Sequence, residues 1–103
     1  MDNFFQRAFS VVKQIPEGRV STYGQIAQMI GEPRKARYVG FAMHQSPGVA
    51  GGVPCHRVVF KDGSLAPGFA FGGPDAQKEL LEAEGVQFLE NGKVDMKHFL
   101  WEA

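Results

Sequence analysis

The sequence predicts a mainly α-helical fold with a small β wing, the winged helix-turn-helix arrangement, and three observations predict it. Two stretches of helical periodicity, Thr22 to Ile30 and Pro33 to Met43, are joined by a turn of only about three residues. A longer stretch, Asn3 to Ile15, has the same periodicity and reads as a core helix. Downstream, Arg57 to Phe60 alternates enough for a short strand, Lys61-Asp62-Gly63 has hairpin-turn composition, and Ser64-Leu65 starts a return. At 103 residues, with nine Phe and one Trp beside its Val, Ile and Leu, the chain has material for one modest core. Residues 1–103 are therefore expected to form a single domain.

Each element has a local reason. In the first helix Phe4, Phe5, Ala8, Val11, Val12 and Ile15 share a face, and Pro16-Glu17-Gly18 supplies the turn after it. Thr22 and Gln25 have capping-box spacing: the Thr22 hydroxyl can hold the amide three residues on while Gln25 reaches back. The helix they start carries Ile26, Ala27 and Ile30 inward. Gly31 suits the left-handed residue that ends it, and Pro33 suits the first position of the next. In that next helix Ala36, Val39, Gly40 and Met43 recur at inward spacing, while Arg34, Arg37, Tyr38 and Phe41 point the other way. The outward face is basic and aromatic: either a solvated surface or a nucleic-acid contact.

Ser46 to Val53 reads as a flexible loop, and Ala66 to Gly73 as a glycine-rich loop whose Phe69 and Phe71 belong to no regular element. Pro74 to Glu84 reads as a helix with Ala76, Leu80 and Leu81 or Ala83 packed inward and Gly85 as its stop. Val86 to Leu89 is an extended piece and Asn91-Gly92 a turn. Val94 to Trp101 is a tail that docks Phe99, Leu100 and Trp101.

Composition excludes several classes of function. The net charge is zero, so nucleic-acid binding must rest on a local basic patch. A single cysteine excludes an internal disulfide and a multi-cysteine metal framework, and it fits a reducing compartment. The N-terminus has no charged-then-apolar leader and no apolar run reaches membrane length. The expectation is a soluble, cytoplasmic monomer, nucleoid-associated in a bacterium, without membrane contact, cofactor or metal.

The chemistry centres on Pro54-Cys55-His56-Arg57-Val58-Val59, which holds the cysteine beside a histidine. A thiol with an ordinary pKa of about 8.5 is only slightly ionised at pH 7, so a working cysteine needs a base or a positive field, and His56 and Arg57 offer both. A lone cysteine is also a small buried hydrophobe in many cores. Glu84 stands at the last turn of its helix, where the negative end of the dipole disfavours a carboxylate. It is either an exposed charge of little cost or one that has a compensating partner, such as a histidine or a buried donor.

Taken together, Pro54-Cys55-His56-Arg57-Val58-Val59, Thr22-Tyr23-Gly24-Gln25-Ile26-Ala27, Ala36-Arg37-Tyr38-Val39-Gly40 and Leu80-Leu81-Glu82-Ala83-Glu84-Gly85 resemble the O6-alkylguanine-DNA alkyltransferases. That family is also called the methylated-DNA-protein-cysteine methyltransferases, and the four motifs stand in its order. The resemblance implies a DNA repair protein that enters the minor groove of double-stranded DNA, flips O6-alkylguanine out of the duplex, and transfers the alkyl group irreversibly to its own cysteine.

Carried over by resemblance, Cys55 is the acceptor, His56 activates it through a water, and Glu84 orients His56. Tyr23 presses on the phosphate behind the target nucleotide and Arg37 fills the gap left in the duplex. Thr22, Arg34, Lys35, Ala36 and Gly40 join them at the DNA. Tyr23, Val58 and Phe69 border the alkylguanine pocket. The alternative is a non-enzymatic alkyltransferase-like protein, similarly short and ending in a similar tail, that binds the lesion and flags it for downstream repair proteins. Such proteins commonly have tryptophan in place of the acceptor cysteine. A plain winged-helix regulator is a third reading.

Overall fold

The computed structural model of the protein describes residues 3–66 and 72–103. Its elements are, in order, α1 (Phe4–Val12), β1 (Ser21–Thr22), α2 (Tyr23–Ile30), α3 (Ala36–His44), β2 (Val58–Val59), α4 (Gly73–Ala83) and α5 (Met96–Phe99). The architecture is mainly helical with a small two-stranded sheet.

The first three helices form where the periodicity predicts them. Asn3 caps α1 by accepting from the Gln6 amide at 2.9 Å, and Ala8 and Val12 are its buried residues. Thr22 caps α2 by accepting from the Gln25 amide at 3.0 Å. Gly31 ends it at φ +89°, the left-handed conformation that glycine adopts without a Cβ penalty. Pro33 does not open α3 directly; it heads a 3-10 turn, Pro33–Lys35, from which α3 continues. Val39 and Met43 of α3 are buried and Tyr38 and Phe41 half-exposed, as expected, but Ala42 is buried where Ala36 and Gly40, expected inward, are only partly covered and border a surface cleft.

Four expectations are corrected. The capping box is only half formed, because the Gln25 amide donates to the Trp101 carbonyl at 2.8 Å and its carbonyl oxygen accepts from the Ser21 hydroxyl, so it does not reach back to Thr22. Val58 and Val59 form the expected strand, but its partner is Ser21–Thr22, paired in parallel with Ser21 opposite Val58. Ser64 returns only as a turn, its carbonyl accepting from the Phe60 amide at 3.0 Å. On α4, Leu81 is buried but Leu80 and Ala83 face outward, and Gln77 is the buried residue one turn before Leu81. Leu100 of the tail also lies at the surface.

Two apolar clusters hold these elements together. The larger joins α1, α2 and α3 through Ala8, Val12, Ile26, Ala27, Val39 and Ala42, and it receives Val53, Cys55 and Val58. The smaller gathers Val20, Val59, Leu81, Val86 and Val94. Successive strand residues face opposite ways, so Val58 packs into one cluster and Val59 into the other, and β2 fixes the segment that follows Cys55 between them. Among the described residues no helix is long and apolar enough to cross a membrane.

Candidate functional site

Cys55 sits in a 3-10 turn, Cys55–Arg57, delivered by the Ser46 to Val53 loop. The turn is closed by the Arg57 amide donating to the Pro54 carbonyl at 3.0 Å, and the Cys55 amide donates to the Val53 carbonyl at 2.8 Å. Behind it lies the larger core, and the Cys55 residue is only 3% exposed. Burial raises its thiol pKa above the ordinary thiol range, with the Ser46 side chain opposing the shift. Ser46 is itself buried, and its hydroxyl also accepts from the Gly48 amide at 3.2 Å, which fixes the start of the loop.

His56 lies in the same turn with its ring 1% exposed and Nε2 2.7 Å from Glu84 Oε2. Arg57 grips the same carboxylate with two bonds, Nε to Oε1 at 2.9 Å and Nη2 to Oε2 at 2.8 Å, while its Nη1 donates to the Ile15 carbonyl at 2.8 Å. Burial works to raise the Glu84 pKa, but the hydrogen bonds and charges of Arg57 and His56 outweigh it and hold it below the usual carboxylate value. Burial lowers the His56 pKa, against the pull of Glu84. A neutral ring facing an ionised carboxylate must carry its proton on Nε2, which leaves the Nδ1 lone pair free to accept. Nδ1 is the one buried side-chain nitrogen or oxygen without a hydrogen-bond partner among the described residues.

Glu84 therefore has the compensating partners that its position at the end of α4 calls for, and His56 is one of them. Arg57, which the sequence offers only as a source of positive field, is another, and the Gly18 amide also donates to Oε1 at 3.4 Å. The signal was present in the requirement for a buried donor at Glu84.

The second part of the site is the exposed side of α3. Tyr23, Ala36, Arg37, Gly40, Phe41 and Phe60 line a cleft of about 430 Å³. Gly40 leaves it without a side chain at that point; a Cβ there would stand 4.0 Å from Tyr23 Cε1. Tyr23 and Phe60 make one wall, their ring centroids 5.2 Å apart. Phe60 is a lining residue that sequence reasoning missed, and an aromatic placed just before a turn was its only signal. Burial, and then the charge that Cys55 would carry if ionised, push the Tyr23 pKa up to about 12. That phenol is a hydrogen-bond donor at neutral pH, electrostatically coupled to the thiol.

The cations of this face are not equivalent. Lys35 pairs with Glu32 at 2.8 Å and lies over the rings of Phe4 and Tyr38, while Arg7 of α1 takes the other Glu32 oxygen at 3.0 Å. Arg34 and Arg37 are exposed and have no ion pair among the described residues. Thr22 is committed to capping α2. The Val58 side chain is in the core and its carbonyl accepts from Gln77, so Val58 does not line the cleft. Phe69 lies outside the described residues. Among those described, no three His, Cys, Asp or Glu side chains come together as metal ligands would.

The structure thus brings His56, from the turn that Cys55 starts, into contact with Glu84, and Tyr23, Ala36, Arg37 and Gly40 around one cleft. Comparison with known proteins agrees in extent. The family model described as 6-O-methylguanine DNA methyltransferase, DNA binding domain, matches residues 3–86. The chain is 40% identical over 102 residues to a DNA base-flipping protein of Vibrio parahaemolyticus, covering 99% of each. It is 43% identical over 82 residues to a methylated-DNA-protein-cysteine methyltransferase of Methanosarcina acetivorans, covering 80% of this chain and 51% of that one. Its fold matches S. pombe Atl1 in complex with damaged DNA containing O6-carboxymethylguanine, with a TM-score of 0.83, 37% identity, and 100% and 98% of the two chains covered.

Proposed function

Because the chain belongs to the 6-O-methylguanine DNA methyltransferase family, through that family's DNA binding domain, we propose that it binds double-stranded DNA from the minor groove and holds an O6-alkylated guanine turned out of the stack. In this reading α2 and α3 are the two helices of a winged helix-turn-helix, and the turn between Phe60 and Ser64 is its wing. The observation that carries it is that Tyr23, Arg37 and Gly40 line one cleft on the exposed side of α3.

Extruding a base costs a few kcal/mol of stacking and pairing, least for a lesion that pairs poorly, and a group placed in the gap keeps the duplex from closing. Arg37 has the chemistry for that place, since a planar guanidinium stacks and donates at once. Tyr23 presses on the backbone beside the flipped nucleotide and, held protonated, donates a hydrogen bond to it. Arg34 and Lys35 approach phosphates. The resting thiol favours holding over transfer: it is buried, its pKa is raised, and at neutral pH it is a weak nucleophile. Relatives named for base flipping and the likeness to Atl1 support the same side. A bound, extruded lesion then marks the site for other repair proteins.

A second reading, alkyl transfer, is favoured by one specific observation: the His56 ring, in the same turn as Cys55, is held by Glu84 and presents an unpartnered Nδ1. In that step the thiol proton passes through a water to His56 Nδ1, the Cys55 sulfur bonds the alkyl carbon as the carbon–O6 bond breaks, and guanine leaves with a proton from Tyr23. The protein is consumed, one alkyl group per chain.

A duplex with a fluorescent base analogue opposite O6-methylguanine tests extrusion, and intact mass of the same sample separates the two readings. Holding predicts unstacking at saturation with unchanged mass. A gain of one methyl group on Cys55 establishes transfer, and absence of unstacking removes both.

A further inference from the structure

We propose that Gln77 is a positioning residue for His56, so that α4 holds this histidine at two points, the backbone through Gln77 and the ring through Glu84. Gln77, Leu81 and Glu84 fall at i, i+4 and i+7, one face of a helix. Leu81 is buried between the other two, fixing that face against the smaller core. Gln77 is fully buried, and its Nε2 donates to the carbonyls of His56 and Val58, each at 3.0 Å. Its Oε1 accepts from the Ala66 amide at 3.1 Å.

This one side chain pins the two carbonyls on either side of Arg57 and the Ala66 amide. A buried amide with both donors and its acceptor in use is costly to disturb, and two carbonyls sharing one NH2 group set the pitch of the turn that aims the His56 ring. If the turn rotates, the 2.7 Å bond from Nε2 to Glu84 lengthens and the proton is no longer confined to Nε2. Gln77 thereby acts on the tautomer of His56 without touching its ring.

The first test needs no DNA and is independent of the proposed function. In the unaltered chain the ring 15N shifts of His56 are those of one fixed Nε2–H tautomer. In Gln77→Met, with folding verified by its denaturation midpoint, the two shifts converge as the tautomers interchange. Unchanged His56 shifts in folded Gln77→Met overturn the proposal, since a space-filling Gln77 would leave them alone.

The second test rests on the lesion-binding reading: Gln77→Met weakens binding to an O6-methylguanine duplex about ten-fold, with the unmodified duplex unaffected. Equal loss on both duplexes overturns it. If the unaltered chain prefers neither duplex, the proposed function fails while the tautomer comparison still decides this inference. Should Gln77→Met not fold, the Gln77 side-chain amide signals of the unaltered chain decide. They move on titration with the lesion duplex and not with the unmodified one, and signals indifferent to both contradict the proposal.

Discussion

His56 Nε2 and Glu84 Oε2 lie 2.7 Å apart, and Arg57 clamps the same carboxylate from the other side, so a neutral histidine is presented with its Nδ1 lone pair free. The three side chains come from a turn and a helix end 27 or 28 residues apart in sequence, and each restricts the other two.

Arg57→Ala should be the more destructive change within this cluster. It leaves Glu84 with a largely buried charge lacking its main partner, and it frees the Ile15 carbonyl. Removing one member of a buried pair costs about 3 kcal/mol or more. Urea denaturation should show this loss, and Arg57→Lys should not recover it, because an ammonium cannot make the two parallel bonds.

Acid should weaken the fold through the same residues, with a definite sign. The Glu84 pKa is lowered in the folded chain, so its contribution is complete above its unfolded value and is lost as pH falls through the folded one. The His56 pKa is also lowered, so the unfolded chain takes up that proton first as pH falls below the ordinary histidine range, again favouring unfolding. Denaturation midpoints measured from pH 7 to pH 4 should therefore fall steadily, and Glu84→Gln should flatten the lower part of that slope. An unchanged slope in Glu84→Gln would place the acid sensitivity elsewhere.

Ultraviolet titration of Tyr38→Phe, which leaves Tyr23 as the one tyrosine, should give a midpoint near 12. Cys55→Ser should bring that midpoint down, because part of the shift comes from the charge on ionised Cys55. A midpoint near the ordinary value of about 10 would mean that the phenol is solvated.

Much of this site was legible in the sequence because its signals are local. The Thr22 cap, the Gly31 stop and the two-faced α3 follow from neighbours within a turn or two, and Arg37 is exposed as that pattern expects. What failed depended on partners far along the chain. Gln25 was drawn to Trp101 and Ser21 instead of closing its own cap. β2 found Ser21–Thr22 instead of the adjacent return. On α4 two adjacent leucines offered two plausible inward faces, and the true one is marked by a polar residue, Gln77, whose three partners exist only in the folded chain.

Charge contacts to DNA should separate by their pairing in the free protein. Arg34→Ala should lower the slope of log affinity against log salt by about one ion, whereas Lys35→Ala should lower it by less, because Lys35 is already paired with Glu32. Arg37→Ala should reduce lesion binding and unstacking together. Equal salt slopes for Arg34→Ala and Lys35→Ala would show that the Glu32 pair opens on DNA.

The central claim is recognition of an extruded alkylated base, and equilibrium binding of the intact chain to two duplexes that differ only in guanine or O6-methylguanine tests it most directly. The account predicts at least about ten-fold tighter binding to the lesion, the equivalent of about 1.4 kcal/mol recovered from the poorer pairing that extrusion must break. Equal affinity for the two duplexes would contradict it.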